Sequence, residues 1–108
     1  GKLSSSTQIL VGSQVIHQLA DIHADLCFLG ANSVSVKDGI TDSDWEVVQV
    51  KRAMIRAASE TAILTISEKL NSFQKMKICS LGDISYLITG LRPGDKLFLQ
   101  YLKKVKVL

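Results

Sequence analysis

The chain has 108 residues, a single proline and 46% hydrophobic residues, which excludes a disordered tail and allows one globular core or part of one. Thirteen lysines and arginines against ten acidic residues leave a net charge of +3, too mild for a dedicated nucleic-acid binder. At this length folding hides somewhat more than about 60% of the unfolded chain's surface, so stability can lean on partners.

In chain order, Ser4-Ser5-Ser6-Thr7 is too short to mark a linker. Gly12 and Ser13 open a stretch with Val15, Ile16, Leu19, Ala20 and Ile22 apolar, a spacing that predicts a helix. Leu26-Cys27-Phe28-Leu29, closed by Gly30, is a continuous apolar run and predicts a strand buried on both faces. A polar loop is expected from Ala31 to Asp42. Ser43 and Glu46 have capping-box spacing, so a helix is expected from about Ser43. Its apolar face would be Val47, Val50, Met54 and Ala57, widened by Val48, Ala53 and Ala58, with Lys51, Arg52 and Arg56 turned elsewhere. Ala62-Ile63-Leu64-Thr65-Ile66 and Tyr86-Leu87-Ile88-Thr89 read as further strands. Asp95 caps a short helix from Lys96 to Lys103, and Val105-Lys106-Val107-Leu108 reads as a last strand. This alternation implies βαβ units with right-handed crossovers, that is, an open, mainly parallel α/β sheet with flanking helices. The elements are too few to cover both faces of such a sheet, which implies a partial domain.

Cys27 and Cys79 lie in apolar runs, where a free thiol behaves as a small buried hydrophobe, and neither has a CxxC partner. They suggest a reducing compartment. No segment reaches the roughly 18 apolar residues of a membrane helix, and no secretion signal is recognisable, so a soluble cytoplasmic protein is expected. Lys103, Lys104 and Lys106 cluster at the end, where an exposed final element explains them as well as phosphate contacts would.

In open parallel sheets ligands collect at the carboxyl ends of the strands. Three segments qualify: Gly30-Ala31-Asn32-Ser33, the loop through Gly39-Ile40-Thr41, and Ser67-Glu68-Lys69. Each also has an ordinary reading. Gly30 and Gly39 can be turn glycines, Asn32 can close an Asx-turn, Thr41 can assist the helix cap, and Lys69 can be a solvated lysine. Asp42 and Asp44 complement the helix dipole and argue against an anion site there. His17 and His23 are six residues apart and do not share a helix face, so they read as surface residues. No GxxxxGK[ST] or GxGxxG loop occurs, and no nucleophile and base can be assembled. Neither a cofactor nor a metal site is expected.

The segments Ala24-Asp25-Leu26-Cys27-Phe28-Leu29-Gly30-Ala31-Asn32, Gly39-Ile40-Thr41, Val50-Lys51-Arg52-Ala53-Met54 and Ser67-Glu68-Lys69, in this order and spacing, resemble the sensor domain of DeoR-family bacterial transcriptional repressors. The likeness extends over nearly the whole chain. Ile66 stands where that family usually has aspartate, Ser33 where glycine is common, and Gly90 where aspartate often follows Thr89. The resemblance implies a fold similar to sugar-phosphate isomerases and a phosphorylated sugar or related metabolite as effector. It also implies operator DNA as a partner only through a separate N-terminal winged helix. Residues 1–108 would then be the C-terminal part of the sensor, without the family's phosphate loop, and the exposed sheet edge would favour a homo-oligomer. The ligand-binding set implied is Gly30, Asn32, Gly39, Thr41, Lys51 and Lys69.

The similarity to ribose-5-phosphate isomerases is informative where it breaks. Those enzymes carry acidic residues in a DGADE-like turn and a glutamate base early in the next helix. Here the turn reads Leu29-Gly30-Ala31-Asn32-Ser33, and with Lys69 aligned to the isomerases' lysine, an ungapped count places Lys51 at the glutamate. A cation in place of the base removes the proton acceptor of aldose–ketose isomerisation, which implies a site that binds without reacting. The competing readings are an isomerase-like enzyme or its inactive relative, and a purely structural oligomerisation piece.

Overall fold

The computed structural model describes residues 13–92 and 94–108. A helix at residues 13–19 (α1) leads into strand β1 (Ala24–Gly30). Strands β2 (Ser33–Ser35) and β3 (Gly39–Asp42), helix α2 (Trp45–Ala57) and strand β4 (Ala58–Leu64) follow. A 3₁₀ turn (Ser67–Lys69), β5 (Met76–Cys79) and a second 3₁₀ turn (Leu81–Asp83) come next, and β6 (Tyr86–Ile88), α3 (Lys96–Leu102) and β7 (Lys106–Val107) complete the chain. Ser4 to Thr7 and Gly12 lie outside the described residues.

The expected parallel sheet is present, with order β1-β4-β6-β7 and every pairing parallel. Beside it lies a three-stranded antiparallel sheet, β2-β3-β5, that sequence reasoning reads as loop. The polar stretch from Ala31 to Asp42 is a hairpin: Val34 pairs with Ile40, and both side chains are buried. Its composition hides this because Ser33, Ser35, Thr41 and Asp42 are also buried. The side chains of Ser35, Thr41 and Asp42 are hydrogen-bonded, so polar residues can stand buried there and the usual apolar alternation of a strand is missing.

Helix α2 starts two residues later than expected. Its N-cap is Asp44, whose Oδ1 accepts the amides of Glu46 at 3.0 Å and Val47 at 3.4 Å, in place of the Ser43 and Glu46 box. Its innermost side chains are Val48, Ala53 and Ala57, while Val47, Val50 and Met54 are half-buried. Ala58 does not extend the helix stripe. It adopts extended geometry (φ −112°, ψ 147°) and opens β4, which runs from Ala58 where the apolar run alone suggested Ala62. Asp95 caps α3 as expected, accepting the Leu97 amide at 2.9 Å.

Strand β1 is not buried on both faces. Cys27 and Leu29 point into the core shared with Val34, Ile40, Val48 and Ile63, whereas Leu26 and Phe28 are 46% and 56% exposed. Leu64, Ile66 and Leu108 are exposed as well. Helix α2 and the antiparallel sheet take one face of the parallel sheet, so the alternating side chains of β1 meet them only at every second position. Both cysteines are free and buried, and Cys79's thiol is pushed up to about 12 chiefly by burial.

At the hairpin turn, Ser35 Oγ accepts the Asp38 amide at 2.8 Å, and Gly39 returns the chain with φ +76°. A β-carbon at Gly39 would overlap the backbone carbonyl of Cys79 in β5. Glycine is therefore required twice, for the left-handed backbone and for the close approach of two strands. We expect Gly39→Ala to destabilise the fold by about 2–4 kcal/mol, combining left-handed strain with overpacking. Urea unfolding would show it, and a loss under about 1 kcal/mol would mean that β5 moves away freely.

Candidate functional site

Strands β1 and β4 end side by side at their carboxyl edge, with Gly30 in register with Leu64. The pairing continues one step, as the Ala31 amide donates to the Leu64 carbonyl at 3.1 Å. The Thr65 hydroxyl then donates to the Ala31 carbonyl at 3.3 Å. The segments leaving both strands are thus tied together where ligands gather in a parallel sheet.

Onto this edge α2 delivers Lys51, whose Nζ donates to the Gly30 carbonyl at 2.6 Å. An ammonium carries three donors, so this bond leaves two for other acceptors. Asn32 is exposed, and its Nδ2 donates to Asp42 Oδ2 at 2.9 Å. An ionised carboxylate only accepts, so the amide nitrogen must face Asp42 and the amide oxygen must face away. Gly30, Asn32 and Lys51 are therefore brought together. Lys69 lies on the 3₁₀ turn just beyond β4, half-buried, with its carbonyl accepting the Ser72 hydroxyl at 2.6 Å.

Gly39 and Thr41 are placed differently. Gly39 is buried against β5 at the far end of the hairpin. Thr41 is buried too, and its Oγ1 accepts the Gln74 amide at 2.8 Å. Both shape the hairpin that carries Asp42. His17 and His23 are exposed, and His23 Nε2 lies 3.0 Å from the Ser59 hydroxyl.

The residue that sequence reasoning missed is Asp42. It is 3% exposed, and its Oδ1 accepts the amides of Ser43 at 2.7 Å and Asp44 at 3.1 Å while Oδ2 accepts Asn32. Burial pushes its carboxyl up. The Asp44 amide, the Asn32 side chain, the Ser43 amide and the charge of Lys51 outweigh that, and the net result lies below the ordinary value of 3.8. The signal was an Asp-x-Asp string before the helix, but its second aspartate is the cap and its first is the buried acceptor.

A folded value below the ordinary one means that Asp42 stabilises the fold above that ordinary value, and that this contribution is lost as pH falls through the folded one. Asp42→Asn sets a donor against the Asn32 amide and should cost about 1–3 kcal/mol at neutral pH. The gap between the parent and Asp42→Asn should be constant above about pH 5 and narrow below about pH 4. Urea titrations at a series of pH values test this; a gap unchanged down to pH 3 would show that the charge of Asp42 is not what stabilises.

Comparison with known proteins agrees with this architecture. The chain matches the family model "DeoR C terminal sensor domain" over residues 1–91. It is 27% identical over 97 residues to the glycerol-3-phosphate regulon repressor of Haemophilus influenzae, covering 90% of this chain and 37% of that protein. It is 32% identical over 110 residues to the HTH-type transcriptional regulator YulB of Bacillus subtilis, with 99% and 42% covered. With the HTH-type transcriptional regulator GlpR of Haloferax volcanii it shares 28% identity over 89 residues, with 82% and 35% covered. The chain thus spans between 35% and 42% of the length of these relatives, whose names describe regulators of transcription and not enzymes. A family match over 91 consecutive residues, on a parallel α/β sheet with polar residues gathered at its carboxyl edge, shows that this chain belongs to the DeoR C-terminal sensor domain family.

Proposed function

We propose that this chain is the effector-sensing part of a DNA-binding repressor and that its ligand is a phosphorylated sugar or a related metabolite. One observation carries the reading: the Lys51 ammonium sits on the Gly30 carbonyl at the end of a parallel strand, beside an Asn32 amide held by Asp42. A cation with spare donors suits phosphate, and the outward amide oxygen of Asn32 suits a sugar hydroxyl. Lys69, on the neighbouring strand's exit, adds a second cation. Gly39 and Thr41 contribute through the shape of the hairpin. Operator DNA is bound by a separate N-terminal winged helix, a reading supported by the chain's 37% share of the glycerol-3-phosphate regulon repressor. The protein works in the cytoplasm, as a homo-oligomer built in part on the apolar side chains Leu26, Phe28 and Leu64 that the fold leaves exposed.

The site binds without catalysing. Asp42 is the carboxylate beside Asn32, and three hydrogen bonds together with a lowered pKa make it a poor proton acceptor. No cofactor is invoked.

The test uses the full-length polypeptide with glycerol 3-phosphate, ribose 5-phosphate and fructose 6-phosphate as probes. One of them at a hundred times its Kd should stabilise the fold by about 2.7 kcal/mol, visible as a thermal shift. Lys51→Ala and Lys69→Ala should each weaken binding by about tenfold or more, the scale of one charge-assisted hydrogen bond. Coupled isomerase assays should stay at background. Undiminished affinity in both variants, or turnover that Asn32→Ala or Lys51→Ala abolishes, would overturn the reading.

A further inference from the structure

We propose that Tyr101, in the last helix, is a positioning residue for the effector site, its phenolic hydroxyl holding the Asn32 and Lys69 segments in one fixed relation. The inference rests on the site reading above. Tyr101 is 0% exposed, and its hydroxyl meets three groups: it lies 3.2 Å from the Val34 carbonyl and 2.9 Å from Asn71 Oδ1, and it accepts the Asn71 amide at 3.0 Å. Val34 follows Asn32 by two residues, and Asn71 follows Lys69 by two. A single hydroxyl from a distant helix is thus bonded to both segments that carry the candidate ligand groups.

Packing alone does not call for this hydroxyl. A phenylalanine would fill the same space, and a buried hydroxyl costs stability unless its bonds are made. Here they are made at the junction where the two segments already touch, through the Val34 and Leu70 bridge and the Ser72 amide donating to the Val34 carbonyl at 3.2 Å. Asn71 sits at φ +58°, a left-handed backbone that asparagine adopts more readily than most residues and that neighbouring hydrogen bonds help to hold. Tyr101 supplies that hold by accepting the Asn71 amide, while its one proton has the Val34 carbonyl and Asn71 Oδ1 both within reach. Burial raises the phenol's pKa, against the lowering effect of the Asn71 amide, so the hydroxyl keeps the proton it donates. Without the hydroxyl, the turn bearing Lys69 keeps its bridge to Val34 but loses the bonds that fix its left-handed corner.

The experiment is a double-mutant cycle on the full-length polypeptide, with Kd measured for glycerol 3-phosphate, ribose 5-phosphate and fructose 6-phosphate well below the unfolding temperature. Tyr101→Phe should weaken binding about tenfold, equivalent to ~1.4 kcal/mol. In the Lys69→Ala background it should weaken binding less than twofold further, because the group it positions is gone. A purely structural role would not produce that sub-additivity. If Tyr101→Phe does not fold, Asn71→Gly keeps the positive φ, removes the side-chain acceptor, and should show the same sub-additivity with Lys69→Ala. Unchanged affinity in Tyr101→Phe, or full additivity with Lys69→Ala, overturns the role of Tyr101 and leaves the site standing. Unchanged affinity in both Lys51→Ala and Lys69→Ala overturns the site, and this inference with it.

Discussion

A carboxylate removed from water must be compensated by donors, and Asp42 has found them on two sides. From its own chain it takes the two amides that precede α2, so the helix can begin only where Asp44 is free to cap it. Across the hairpin it takes the Asn32 side chain, which fixes the segment leaving β1 relative to the segment entering the helix. Once the helix start is set, the register of α2 carries Lys51 to the Gly30 carbonyl. That ammonium in turn favours the charged form of Asp42. Helix, strand exit and hairpin thus depend on one ionised group, and each of its partners helps to keep it ionised.

The antiparallel sheet makes this arrangement possible. A parallel strand normally hands over to a helix through a short loop, but here the connection from β1 to α2 detours through β2 and β3 and pairs with β5. The detour places Val34 and Ile40 in the same apolar cluster as Leu29 and Val48, so the hairpin is part of the core. Two strands can approach that closely only where side chains permit, and Gly39 permits it against the Cys79 carbonyl. The same detour explains why the segment is rich in buried serine and threonine. Its polar groups serve one another and the backbone: Ser35 takes the Asp38 amide and Thr41 takes the Gln74 amide.

The parallel sheet was legible because its strands are apolar runs with a helix between them, and periodicity registers such runs. Tyr86 to Ile88, the Asp95 cap and the terminal strand lie within one or two residues of the positions their apolar runs and capping side chain predict. The hairpin was not legible, since a three-residue strand of serine, valine and serine carries no period that a loop would lack. β5 was missed because Met76-Lys77-Ile78-Cys79 is short and begins half-exposed. The helix cap was misplaced by competition among three neighbouring residues with capping oxygens, Asp42, Ser43 and Asp44. Spacing alone cannot say which of them the tertiary structure will bury. Of the candidate site residues, Gly30, Asn32 and Lys51 proved neighbours, whereas Gly39 and Thr41 turned out to face the hairpin and its β5 flank.

The polar groups at the sheet edge also indicate what kind of chemistry this site can support. Proton abstraction from a sugar carbon needs a carboxylate with a free lone pair and a pKa near the working pH. Asp42 fails on the second count, because its bonds to Ser43, Asp44 and Asn32 favour the ionised form, and they leave only about one of its roughly four acceptor sites open. The same bonds that disqualify it as a base make it a good support. A carboxylate locked in place orients Asn32 in advance, and affinity at any binding site gains from groups that need no reordering. Lys51 is held in a comparable way by a backbone carbonyl, which cannot change its charge. A recognition site gains from such fixed and fully ionised groups, whereas an acid–base catalyst would be disabled by them.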